Sequence, residues 1–139
     1  MKYHILTQRS TVAECKITHP SDVYQHLMRY TKERQEHMLV ITLNGAHMVM
    51  KIHVVSIGIM NRALVHPREV FYPAIKDNAA AIVLAHNHPS GNLQPSPEDK
   101  SITDRIGQAG KLLGIPMLDH LIVSPGGYYS ALESGELGW

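Results

Sequence analysis

A chain of 139 residues is long enough for one ordinary domain with its own core, and 44% apolar with 18% charged residues excludes disordered and fibrous classes. A formal net charge of +1 gives no global electrostatic case for binding nucleic acid or a membrane, and leaves only a local basic patch if Lys32, Arg34, Arg62 and Arg68 converge. Cys15 is the single cysteine, so no intrachain disulfide forms, and neither an apolar signal core in Met1 to Thr11 nor a run of roughly 18 apolar residues is present. These features suit a cytoplasmic protein.

In chain order, residues 2–17 are expected to form two short strands around a polar turn at Gln8–Thr11, with Cys15 a packed strand residue rather than a nucleophile. Ser21 is the expected N-cap of a helix that carries Val23, Leu27 and Tyr30 on one face. The β-branched run His37–Leu43 reads as a strand, ended by the hairpin signal Asn44-Gly45. A second strand runs from Met48 to Ile57, where Gly58 interrupts it. A helix opens at His66-Pro67 and continues to about Asn78, with Val70, Phe71, Ala74 and Ile75 inward and Pro73 placed awkwardly inside it.

Ala80–Ala85 is a nearly pure apolar run, expected to be a strand buried on both faces, and a polar loop follows from Asn87 to Pro95. The next helix has clear bounds. Ser96 is a good N-cap, Pro97 suits the first position, and Glu98 and Asp99 favour the positive end of the dipole. Its expected stripe is Ile102, Ile106, Ala109 and Leu113, with Gly114 as its stop. Met117–Ser124 reads as a strand, Pro125-Gly126-Gly127 as a turn, and Tyr128–Leu132 as a last strand. Alternating strands and helices, with no repeat or linker that splits the chain, predict a single mixed α/β domain over residues 1–139.

The densest chemistry is His86-Asn87-His88-Pro89, followed by Ser96-Pro97-Glu98-Asp99. In extended structure residues i and i+2 share a face, so both imidazoles can reach one metal ion. The loop can fold Asp99 back towards them. Three protein ligands leave zinc a fourth position for water, which is the pattern of a catalytic site. Each part has a plainer reading. A His-x-His pair is often two unrelated histidines, and Ser96-x-x-Asp99 is what an ordinary capping box looks like. The coincidence of a buried strand, a turn-rich loop and a capped carboxylate favours the metal, as does the chain's total of ten histidines. Glu33, Glu36, Glu69 and Glu98 are candidate bases. Glu36 directly precedes a strand that a sheet could bring beside His86, although composition alone favours reading it as a solvated helix-end residue next to Lys32 and Arg34.

His86-x-His88-Pro89 with Ser96-x-x-Asp99 resembles the JAMM motif of MPN/JAB-domain metalloproteases. The longer stretches HPREVFYPAIKDNAAAIVLAHNHPSGNLQPSPEDKSITDRI, from His66, and LLGIPMLDHLIVS, from Leu112, resemble the bacterial RadC family over roughly residues 20–139. The resemblance implies a JAB fold, a mixed curved β-sheet packed by helices, with zinc on His86, His88 and Asp99. It implies that Ser96 helps to stabilise a developing oxyanion and that Glu36, in QEHMLVITLNG, is the general base. RadC-type proteins commonly carry an N-terminal helix-hairpin-helix region, for which this sequence has no room. His53 stands where the family often has an acidic residue. Asp119-His120 either supports the site or forms a buried pair in a strand.

The expected function is therefore zinc-dependent hydrolysis of a peptide or isopeptide bond, with a peptide or protein substrate. One alternative is a non-catalytic accessory module of DNA repair or mobile-element biology, and another is a metal-dependent nuclease. Both are weakened by the near-neutral charge. Exposed edges of such a sheet could pair with a substrate strand or join copies into a homo-oligomer.

Overall fold

The computed structural model describes residues 15–60 and 65–137. Helix α1 (Pro20–His26) runs into a 3-10 turn (Met28–Lys32), and strands β1 (His37–Leu43) and β2 (Val49–Ile57) follow. Then come helix α2 (Pro67–Lys76), strand β3 (Ala81–Asn87), helix α3 (Pro97–Leu113) and strands β4 (Met117–Ser124) and β5 (Gly127–Ser130). The five strands form one mixed sheet in the order β2-β1-β3-β4-β5. Strand β1 is antiparallel to both its neighbours, whereas β3 and β4 are parallel. A parallel pair needs a long crossover, which α3 supplies.

Alternation along the central strands divides the core into two layers. Met38, Val40, Ile82 and Leu84 face α2 and α3 through Val70, Phe71, Ala74, Ile102 and Ile106. Leu39, Ile41, Val83 and Ala85 face α1 through Val23 and Leu27. Apolar side chains on both faces explain why β1 and β3 read as unbroken apolar runs. Tyr24 ties α1 to the far side of the sheet, since its hydroxyl donates to Ser124 O at 2.8 Å.

Several local expectations are corrected. Helix α1 starts one residue before Ser21, because Pro20 takes the first position and Asp22 Oδ2 accepts from the amides of Thr18 and His19. The β1–β2 connection is longer than an Asn-Gly turn: Asn44 Oδ1 accepts from Ala46 N and Met48 N, and His47 takes the left-handed conformation with φ 61°. Ile75 is 59% exposed, because Val70, Phe71 and Ala74 already span the arc of α2 that faces the sheet. Pro73 lies inside α2 without ending it.

The inward stripe of α3 holds at Ile102, Ile106 and Ala109 but not at Leu113. Its buried residues are Asp99, Ile102, Thr103, Ile106, Gly107 and Gly110, while Leu113 at the helix end is 48% exposed. A Cβ at Gly110 would stand 2.6 Å from Ile115 O and 3.2 Å from Phe71 Cζ, so glycine is what lets α3 sit this close. Strand β3 extends to Asn87, beyond the expected Ala85, and β5 ends at Ser130, leaving Leu132 exposed. Cys15 is exposed rather than packed in a strand; the neighbouring Lys16 makes only an isolated bridge to Met48. The strands and turn expected in residues 2–14 lie outside the described residues, as does Arg62. No helix among the described residues is long and apolar enough to cross a membrane.

Candidate metal centre

The site forms where β3 ends and β1 begins, with Met38 opposite His86. His86 follows Ile82 and Leu84 onto the face that carries α2 and α3 and is completely buried. His88 lies just past the strand, but its amide still donates to Val123 O at 3.1 Å, which keeps the chain extended and the two rings on one side. The loop then turns at Gly91, with φ 84°, and α3 brings back Asp99 on its first turn.

Ser96 and Asp99 do form a capping box: Ser96 Oγ accepts from Asp99 N at 3.0 Å, and Ser96 N donates to Asp99 Oδ2 at 2.8 Å. The same cap orients the carboxylate towards the imidazoles. Asp99 Oδ1 is 3.1 Å from His86 Nε2, and Oδ2 is 3.3 Å from His88 Nε2. The two Nε2 atoms are 3.0 Å apart. Cap partner and converging carboxylate are thus one geometry.

Hydrogen bonding fixes what these atoms offer. His88 Nδ1 must donate to Asn92 O, because a carbonyl only accepts. The Thr103 hydroxyl donates to Asp99 O at 2.8 Å, so it accepts from His120 Nδ1. Burial, reinforced by the neighbouring His86, holds the His120 pKa well below the usual histidine value. Neutral His120 then accepts at Nε2 from His86 Nδ1, 2.9 Å away. Two imidazole Nε2 atoms and a carboxylate therefore face one another with their other ring nitrogens committed elsewhere.

Three acceptors this close need a cation between them. In the absence of a metal a proton serves. The Asp99 hydrogen bond is the main cause that raises the His88 pKa, opposed by burial. Burial acts to raise the Asp99 carboxyl, but His86, His88 and the Ser96 amide outweigh it and hold it far below the usual carboxylate range. A metal fits as well. Tetrahedral zinc with bonds of about 2.0 Å has ligand–ligand edges of about 3.3 Å. The 3.0 Å between the two imidazoles, and the 3.1 and 3.3 Å from each imidazole to one of the two Asp99 oxygens, are of that order.

Glu36 offers an oxygen within 4.8 Å of ligand atoms on His86 and His88, so Glu36, His86 and His88 also form a possible metal-binding group. No ion pair of Glu36 with either histidine occurs among the described residues, unlike Asp99. Glu36 lines an open cleft of about 500 Å³ with Ile59, Met60, His88, Ser96 and Asp99. Of the other candidate bases, Glu98 also lines the cleft, but Glu33 and Glu69 do not. None of Lys32, Arg34 and Arg68 lines it either.

Asp119 and His120 are adjacent but part company. His120 reaches His86, whereas Asp119 holds Ser130 Oγ at 2.6 Å and Leu132 N at 2.9 Å. His53 stands away from the site and pairs with Asp77 Oδ2 at 2.7 Å. Sequence reasoning missed Thr103 and Asn87. Thr103 was legible as the residue one helical turn after Asp99, and Asn87 as the lone polar residue pointing opposite to two histidines.

Comparison with known proteins agrees with this architecture. A family model described as the RadC-like JAB domain matches residues 17–136. A UPF0758 protein of Alkaliphilus metalliredigens is 49% identical over 127 residues, which is 89% of this chain and 54% of that protein. One of Methanospirillum hungatei is 47% identical over 124 residues, 88% of this chain and 55% of the relative. One of Geobacter sulfurreducens is 39% identical over 138 residues, 99% and 60%. The chain thus spans a little over half the length of these curated relatives. By its motifs, its sheet and the match over most of its length, the chain belongs to the family of RadC-like JAB domains.

Proposed function

We propose that the domain is a zinc-dependent hydrolase of peptide or isopeptide bonds. The observation that carries this reading is the convergence of His86 Nε2, His88 Nε2 and Asp99 on one point at the wall of a cleft that Glu36 and Ser96 also line. His86, His88 and Asp99 would hold zinc, which when bound would supply a water of lowered pKa, about 7, and a Lewis acid for a carbonyl oxygen. The rest falls to the chain's own residues. Glu36 takes the proton of the attacking water and returns it to the leaving nitrogen. Ser96 Oγ already accepts from Asp99 N, so its own proton is available to donate to the oxyanion. His120 and Thr103 hold the His86 tautomer.

The cleft favours this reading over a nuclease. Among the described residues its lining includes Glu36, Glu98 and Asp99 but neither lysine nor arginine, a setting that suits a peptide better than a phosphate. Zinc content and peptide-library cleavage of the purified protein test the proposal. About one zinc per chain, lost in His88→Ala, with cleavage abolished in Glu36→Ala, is the expected result. Full zinc occupancy with no cleavage of peptide or isopeptide substrates would refute the hydrolase and turn attention to an accessory role in DNA repair or mobile-element biology.

A further inference from the structure

We infer that Asn87 is the positioning residue for Glu36, so that the residue between the two histidines sets the base on the opposite side of the site. This deepens the hydrolase reading and rests on it. Because His86 and His88 point to the face that carries α2 and α3, Asn87 between them must point the other way. There it is completely buried, next to the layer built by Leu39, Ala85 and Val123. A carboxamide in such a place is costly unless all its groups are bonded.

All its partners are main-chain atoms of one segment. Asn87 Oδ1 accepts from His37 N at 2.6 Å. Asn87 Nδ2 donates to Gln35 O at 3.0 Å and to Glu33 O at 3.3 Å. One N–H and two carbonyls leave no choice about which end of the amide is which. The bonded groups of Gln35 and His37 stand on either side of Glu36, so one carboxamide grips the chain before and after it. Gly58 N adds a third hold on Glu36 O, at 2.9 Å, from the end of β2. A residue that merely closed a strand would need one of these bonds. Three bonds to one short segment fix both the position and the orientation of Glu36 relative to ligands one residue away on the same strand.

The test compares wild type with Asn87→Ala and Asn87→Asp in the full chain, with zinc alone as the probe. Asn87→Asp keeps an acceptor for His37 N, loses both donors, and serves if Asn87→Ala does not fold. The readouts are zinc affinity, the zinc-induced change of the Glu36 side-chain carboxyl ¹³C resonance, and amide hydrogen exchange at His37. Both variants are expected to bind zinc within about threefold of wild type, since the three ligands are untouched. In both, the Glu36 resonance should lose at least about half of its response to zinc, because that response requires the carboxylate beside the site. His37 exchange should rise by about tenfold or more in Asn87→Ala, while the β3 amides keep their protection.

A Glu36 response and a His37 exchange rate like those of wild type would overturn the inference. So would a hundredfold loss of zinc affinity with the Glu36 response intact, which would make Asn87 a support for the ligands. If wild type itself takes up no zinc, the hydrolase reading falls separately, and His37 exchange still decides whether Asn87 holds the segment.

Discussion

Zinc binding to this domain should release a proton, and the structure says from where. His88 Nδ1–H is committed to Asn92 O, so only Nε2 can change hands. Without metal, Asp99 stabilises a proton on that nitrogen and raises the His88 pKa above its ordinary 6.5. Asp99 itself is held ionised far below the usual carboxylate range, and His120 is held neutral, so neither supplies a proton near neutrality. Below the His88 pKa, log K for zinc should therefore fall by about one unit per pH unit, or about 1.4 kcal/mol; above it, the curve should flatten.

Stability without metal runs the other way. The raised His88 pKa contributes stability that is fully present below the unfolded value and lost as pH rises through the folded one. From pH 6.5 upwards, the metal-free contribution should decline while the zinc-dependent gain in Tm grows. Calorimetric titration in two buffers of different ionisation heat counts the protons directly. No proton released at pH 6.5, or a bend in log K below pH 6, would refute the assignment of His88 Nε2 as the shared position.

Three further perturbations probe separate parts of the molecule. His120→Ala removes the acceptor that fixes the His86 tautomer, and zinc affinity measured by competition with a chelator should fall about 10- to 100-fold. Gly110→Ala should destabilise against the usual helical preference. Crowding against Ile115 O and Phe71 costs about 2–3 kcal/mol, since the nearest atom is main chain, alanine returns about 1, and the net of about 1–2 kcal/mol lowers Tm by about 3–6 °C. Gly45→Ala, with open space around its Cβ, is the control and should stay within about 0.5 kcal/mol. Asp77→Ala strips its carboxylate from Thr42, Lys51 and His53 and should cost about 1–3 kcal/mol in urea unfolding, with zinc affinity unchanged. Burial acts to raise the Asp77 carboxyl, but those partners outweigh it and hold its pKa down. Its stabilisation is therefore present above the unfolded carboxylate value and lost as pH falls through the folded one, so the variant's acid limb should be flatter.

What could be read from the sequence was whatever local chemistry decides. The apolar run His37–Leu43 is a strand to the residue, and Ser96, Pro97 and Gly114 mark the ends of α3 as capping rules require. What could not be read depends on contacts made far away. The stripe of α3 was right at Ile102, Ile106 and Ala109 but missed Gly110, which does not count as apolar yet is the seat against Phe71 and Ile115. The Asn44-Gly45 signal was real for a hairpin, but the Asn44 side chain captured Ala46 and Met48 and lengthened the loop. Glu36 had only a weak local mark. Its place just before a strand made it one candidate among four and the resemblance chose it, but only the pairing of β1 with β3 brings a residue fifty positions before His86 into the cleft beside His88 and Asp99.

The site's supports form a closed ring. The Asp99 carboxylate meets His86 Nε2, His86 Nδ1 donates to His120, His120 Nδ1 to Thr103, and the Thr103 hydroxyl returns to Asp99 O. Such a ring has no loose member: moving any one side chain strains two bonds, in a setting where an unpaired polar group is expensive. Its elements differ in origin, since β3 supplies His86, β4 His120 and α3 both Thr103 and Asp99. The parallel β3–β4 pair and its crossover helix are therefore what the ring requires of the fold. Asn87 extends the same economy to the other face, where one strand end holds ligands by its even residues and the approach to Glu36 by its odd one. The ordering entropy of ligands and base alike is then spent on folding, which leaves a metal ion less reorganisation to drive when it binds.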